Sequence, residues 1–176
     1  GYLIQTREFP DGRDLNRMFP GSLNGSLASQ FAHQFIENIA PHVDYVIDFH
    51  TGGAERSNYP NVRCNLTEEN TLELARTFGA PFIVHSEYIA KSVRDTINKM
   101  GKTILLFEGG KSKNLNENVI NYGVEGAVNI MKHLGILDGD IVLNENTIII
   151  KKLSVETIDE LKGLGDLLFN KLTSGI

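Results

Sequence analysis

Apolar and polar positions alternate between two periods along the chain. Val46, Ile47 and Phe49 sit in the stretch DYVIDFHTGG and predict a strand over Val43 to Phe49. Other strand signals fall at Tyr2 to Gln5, Val62 to Leu66, Pro81 to His85, Lys102 to Phe107 and Asn146 to Lys151. Between them the period lengthens. Leu27, Phe31, Phe35, Ile36 and Ile39 recur at helical spacing after Ser26, a good N-cap, and Pro41 ends that run. Thr67 is the expected N-cap of a second helix, with Glu68 and Glu69 in its first turn and Gly79 at its end. Ser92 to Met100 predicts a short helix stopped by Gly101. Asn116 to Leu134 predicts a long one, with Val119, Ile120, Val124, Val128, Met131 and Leu134 on its apolar side and Gly135 as cap. Ile158, Leu161, Leu164 and Leu168 suggest a C-terminal helix.

Strands alternating with helices predict an α/β fold: three layers, with a mostly parallel mixed sheet and helices on both faces. Residues 1–145 are expected to form the α/β domain, and 146–176 a C-terminal segment. The chain of 176 residues is long enough for one domain with a real core, and 41% apolar against 22% charged residues is ordinary for a globular protein. A net charge of -5 argues against a general nucleic-acid surface, and no apolar run reaches membrane-spanning length. Cys64 is the one cysteine, which excludes an internal disulfide and a four-cysteine zinc site and favours a reducing, cytoplasmic location. The chain opens GYLIQT with neither initiator Met nor signal peptide, so a piece of a longer protein is expected.

In such sheets ligands bind beyond the carboxyl ends of strands. Two expected strands end there in a polar residue followed by glycines: His50 and Glu108. Asp48 and His50 share one face of their strand, so a carboxylate is placed to fix one imidazole nitrogen while the other meets a metal. A half-buried histidine at a strand end without a ligand fits the same residues. Glu108, at the mouth of an apolar strand, suits a general base, or equally a solvated glutamate opening a loop. Gly52 and Gly53 allow either a sharp turn or the close approach of a ligand. The loop TREFPDGRDLNRMFPG carries Arg7, Arg13 and Arg17 beside Asn16. Arginine forks grip carboxylates, although pairing with Asp11 or Asp14 inside the loop accounts for them as well. His33, His42 and His133 fall on or beside helices, His85 ends a strand, and Cys64 reads as a small buried residue.

Together, T-R-x-F-x-D-G-R-D-L-N-R-x-F-P-G, D-x-H-T-G-G and a strand ending in E-G-G, in that order, resemble the succinylglutamate desuccinylase and aspartoacylase family, zinc-dependent deacylases of the zinc carboxypeptidase superfamily. The resemblance runs from about Tyr2 to Leu137. It implies a zinc-carboxypeptidase-like fold, with 1–145 as a catalytic domain lacking its N-terminal part and 146–176 as the start of a small β-rich domain, one zinc ion in the complete protein, and hydrolysis of the amide bond of an N-acyl amino acid. His50 resembles the third zinc ligand, Glu108 the general base, and Arg7 the arginine that stabilises the oxyanion. Asn16 and Arg17 resemble the pair that grips the substrate carboxylate. The family's first two ligands come from an H-x-x-E motif that this sequence lacks, so they are expected upstream of residue 1. The expected partner is a small molecule bearing a carboxylate, not nucleic acid or membrane, and a homo-oligomer is compatible with the sequence. Two other readings are carried forward: a metal-free carboxylate-binding module or inactive fragment, and a zinc carboxypeptidase acting on peptides.

Overall fold

A computed structural model describes residues 6–53 and 56–151. The expected strand over Tyr2 to Gln5 and the expected C-terminal helix lie outside them. Five strands form one sheet: β1 (Tyr45–Gly52), β2 (Asn58–Cys64), β3 (Phe82–His85), β4 (Thr103–Lys111) and β5 (Ile148–Ile150), in the spatial order β1-β4-β2-β3-β5. The β1–β4, β2–β3 and β3–β5 pairs are parallel, and β2–β4 is antiparallel. The expected mostly parallel mixed sheet is therefore present. Ile148–Ile150 belongs to it, pairing with Phe82–Val84.

Four helices flank the sheet: α1 (Leu27–Asn38), α2 (Glu69–Phe78), α3 (Val93–Lys99) and α4 (Glu117–His133). Two clusters divide the core. Val62, Cys64, Ile83, Leu105 and Phe107 of the strands pack with Leu74, Ala75, Phe78 and Ile130 from α2 and α4. Ile104 and Val46 pack with Ala32 and Ile36 of α1, Val93 and Ile97 of α3, and Phe19. Adjacent strand residues point to opposite faces, so Ile104 and Leu105 join different clusters and the sheet carries helices on both faces.

Local chemistry sets the helix ends. The hydroxyls of Ser26 and Ser92 and the amide oxygen of Asn116 accept the backbone N–H three residues on. Gly79 ends α2 with φ +79°. Thr67 does not cap α2. Glu68 holds the cap position, and its carboxylate accepts from Thr71, Tyr88 and Asn98.

Two apolar faces differ from the periodic expectation. Leu27, Phe31 and Ile39 of the first helical run are exposed, while Ala28, Ala32 and Ile36 are buried. On α4, Ile120 and Val124 are exposed, while Gly123, Gly126, Asn129 and Ile130 are buried. Small residues bring the helix axis close to the sheet, and that gain outweighs burying the larger side chains. A Cβ on Gly126 would lie 2.3 Å from the Phe78 ring, which stacks on Phe107.

Three strands also outrun their expected limits. β1 continues to Gly52, β4 runs through Glu108 to Lys111, and β2 begins at Asn58 rather than after Pro60. His50 and Glu108 thus lie inside strands, not in the loops beyond them. Ladder bonds outweigh glycine's weak strand preference here.

Candidate active site

The parallel β1–β4 ladder places His50 directly opposite Glu108 on adjacent strands. Asp48, two residues earlier, shares their face. Its Oδ2 lies 2.9 Å from His50 Nε2, so Nε2 carries the proton and donates when Asp48 is ionised. That leaves Nδ1 as the nitrogen for a metal. The bond to Asp48 pushes the imidazole pKa up, against burial; the charges of Asp48 and Glu108 add to the rise and Arg7 opposes it.

A cavity of about 1170 Å³ opens along β1. Arg7, Asp14, Asn16, Asp48, His50 and Thr51 contribute polar groups, and Phe31, Phe35 and Phe49 supply apolar wall. The arginine loop reaches it because Asp11 and Asp14 fold that loop. Asp11 accepts from the backbone N–H of Ala28 at 2.9 Å and of Arg13 at 3.2 Å, tying the loop to the start of α1. The Ala28 bond, aided by Arg13 and Ser26, holds the Asp11 carboxyl below its usual range against the pull of burial. Asp14 accepts from the Asn16 backbone N–H and pairs with Arg7 Nη2 at 2.8 Å. Burial pushes Asp14 up, but the bond and charge of Arg7, with Asn16 and Arg17, leave it lowered. Asn16 Oδ1 accepts from the Val93 N–H at 2.8 Å, which leaves the Asn16 amide nitrogen as its donor toward the cavity.

The sequence-expected residues therefore do not all converge. Arg7, Asn16 and His50 line one cavity. Arg17 is outside that lining, with its Nη1 donating to the Asn16 carbonyl at 2.6 Å. Glu108 neighbours His50 on the sheet, yet its carboxylate turns toward β2. Oε1 accepts from Asn58 Nδ2 at 2.7 Å, and Oε2 pairs with Arg63 Nη2 at 2.9 Å. Sequence reasoning missed Asn58 and Arg63. The alternation N-V-R places Asn61 and Arg63 on one face of β2, which was the available signal. The antiparallel ladder sets Asn61 opposite Glu108 and Arg63 opposite Leu106.

The glycines have structural neighbours. A Cβ on Gly52 would lie 2.0 Å from the Arg56 carbonyl oxygen, and one on Gly109 would lie 2.7 Å from Val119. Gly53 has open space around it. Close packing, against backbone at Gly52 and against the Val119 side chain at Gly109, accounts for these two glycines. His85 is likewise local: Nδ1 accepts from Leu66 N–H and Nε2 lies 2.9 Å from Glu87.

For a metal, His50 fits as one donor, since its second nitrogen is already fixed. Among the described residues no group of three His, Cys, Asp or Glu side chains is placed to hold an ion. No helix among them is long and apolar enough to cross a membrane.

A mixed α/β sheet, with a polar cavity beside the carboxyl end of a parallel strand, defines the class: an α/β domain of ligand-binding type. Within that class the chain belongs to the family described as "Succinylglutamate desuccinylase/Aspartoacylase catalytic domain", which it matches over residues 3–134. It is 30% identical over 138 residues to the N-alpha-acetyl-L-2,4-diaminobutyric acid deacetylase of Halomonas elongata, covering 74% of this chain and 40% of that protein. Among solved structures it resembles the product-bound ectoine utilization protein EutE (DoeB) of Ruegeria pomeroyi, with TM-score 0.77, 27% identity, and coverage of 85% of this chain and 48% of the other. A succinylglutamate desuccinylase/aspartoacylase from Rhodobacter sphaeroides is similar at TM-score 0.76 and 27% identity, covering 85% and 49%. The chain thus spans half or less of the length of these relatives.

Proposed function

We propose that the protein hydrolyses the amide bond of an N-acyl amino acid, with zinc as cofactor and His50 as one of its ligands. The observation that carries this reading is the placement of His50, Asp48, Arg7 and Asn16 on one cavity at the carboxyl end of β1, with Glu108 on the adjacent strand. Membership of the deacylase family supports it. So does the deacetylase activity in the name of the Halomonas relative.

Zinc, when bound, would supply Lewis-acid activation of water and of the amide carbonyl. His50 would be one of the residues that hold it, and residues 1–145 serve as the catalytic part of the protein. Asp48 holds the His50 ring so that Nδ1 presents its lone pair. Glu108 takes a proton from water and returns it to the leaving amine nitrogen. Arg7 offsets the negative charge that develops on the amide oxygen, an effect usually worth about 3 kcal/mol in the transition state. Asn16 and Arg17 bind the substrate carboxylate, and Arg17 turns from the Asn16 carbonyl to do so. The substrate is a small molecule bearing a carboxylate. With its one cysteine buried and reduced, the protein suits the cytoplasm.

The test is amine release from N-acetyl and N-succinyl amino acids by the full-length gene product, with and without a chelator, beside Glu108→Gln and Asn16→Ala. Release should be lost with chelator, fall by at least about a hundredfold in Glu108→Gln, and show a raised KM in Asn16→Ala. Release of C-terminal residues from peptides alone would favour a carboxypeptidase. Carboxylate binding that a chelator leaves intact, without hydrolysis, would make the domain a binding module.

A further inference from the structure

We propose that Arg63 and Asn58 of β2 are positioning residues that fix the orientation of the Glu108 carboxylate; the proposal rests on the deacylase reading above. Glu108 has only 12% of its side chain exposed, and each of its two oxygens is engaged by a different β2 side chain. The Asn61 amide adds a bond to the Glu108 backbone carbonyl at 3.2 Å. A glutamate side chain has three free torsions, and fixing both oxygens removes most of that freedom before substrate arrives. Such fixation matters because an error of about 1 Å at a reacting group can cost on the order of a hundredfold in rate.

The clamp comes from the topology. β2 pairs with β4 in antiparallel fashion, and that pairing sets Asn61 opposite Glu108 with Arg63 on the same face. β1 approaches Glu108 from the other side with His50. Glu108 thus sits on the strand between the proposed metal ligand and the clamp, with its carboxylate held on the β2 side. Arg63 also keeps a buried Nε–H with no acceptor.

The experiment compares kcat and KM of the full-length gene product with those of Arg63→Ala, Arg63→Lys, Arg63→Gln and Asn58→Ala. The substrate is whichever N-acyl amino acid the wild type cleaves fastest. Zinc content and circular dichroism are measured on every variant. Arg63→Ala should lower kcat by at least about tenfold, with KM within about twofold and zinc unchanged. Asn58→Ala should lower it less, and Arg63→Lys should recover part of the loss. If Arg63→Ala fails to fold, the longer polar side chain of Arg63→Gln carries the same comparison.

An unchanged or raised kcat overturns the clamp. So does a loss confined to KM, or one that Arg63→Lys does not recover. These outcomes leave the deacylase reading standing, because the wild type still cleaves. A wild type that cleaves no N-acyl amino acid overturns that reading, and the clamp with it.

Discussion

Cys64 ends β2 with no exposed surface, and burial pushes its thiol up to about 11. The thiolate is the reactive form, so Cys64 should label very slowly with a disulfide reagent at pH 8 in the folded protein and rapidly in urea. Prompt native labelling would contradict this burial. Asp11 makes the opposite kind of statement. Its carboxyl is held down chiefly by the Ala28 N–H, so the stabilisation is present above the unfolded value of 3.8 and is lost as pH falls through the lowered folded value. Asp11→Ala should therefore melt below wild type at neutral pH, with the gap closing as the solution is acidified. A gap that persists in acid would rule out the charged cap. At this scale the sequence was informative where chemistry is local. His50 beside Asp48, and the helix starts at Ser26, Ser92 and Asn116, depend on residues within a few positions, whereas the cap expected at Thr67 falls to Glu68. The partners of Glu108 were not legible, because Asn58 and Arg63 reach it only through a pairing between strands about fifty residues apart.

Helix α4 shows how an element can be found correctly and faced correctly only in part: Val119 and Leu134 pack on the core, while Ile120 and Val124 are exposed. Its limits follow from Asn116 and Gly135, but its contact surface is built on glycine. Hydrophobic periodicity assumes that the large residues face inward, and α4 departs from this by also pressing Gly123 and Gly126 onto Phe49, Phe107 and Phe78. Gly126→Ala is thus a contest of two effects. Alanine gains about 1 kcal/mol of helix propensity. Its methyl would sit 2.3 Å from the Phe78 ring, and that ring is buried and stacked on Phe107. Overpacking of this kind costs about 1–3 kcal/mol, so a net loss of stability is expected in denaturant unfolding. A stabilised Gly126→Ala would show that the helix can shift outward. Strand ends were misjudged for a related reason: glycines read as loop signals, while Gly52 and Gly109 are sites of tight packing within strands.

Over the whole molecule, α/β alternation was enough to give a mixed sheet with helices on both faces, since each expected strand and helix among the described residues exists. The antiparallel setting of β2 against β4 was not encoded in any local pattern, yet it decides what surrounds Glu108. The family motifs pick out Arg7, Asn16 and His50, which line one cavity, and Glu108, which does not; the proposed chemistry stands on His50 binding a metal through the nitrogen that Asp48 leaves free.

Zinc per chain, measured on the full-length gene product beside His50→Ala, tests that claim most directly. The wild type should hold about one zinc ion, and a folded His50→Ala should lose it, because a catalytic site with two remaining protein ligands binds weakly. A folded wild type without zinc, or a His50→Ala variant that keeps its full complement, would contradict the account.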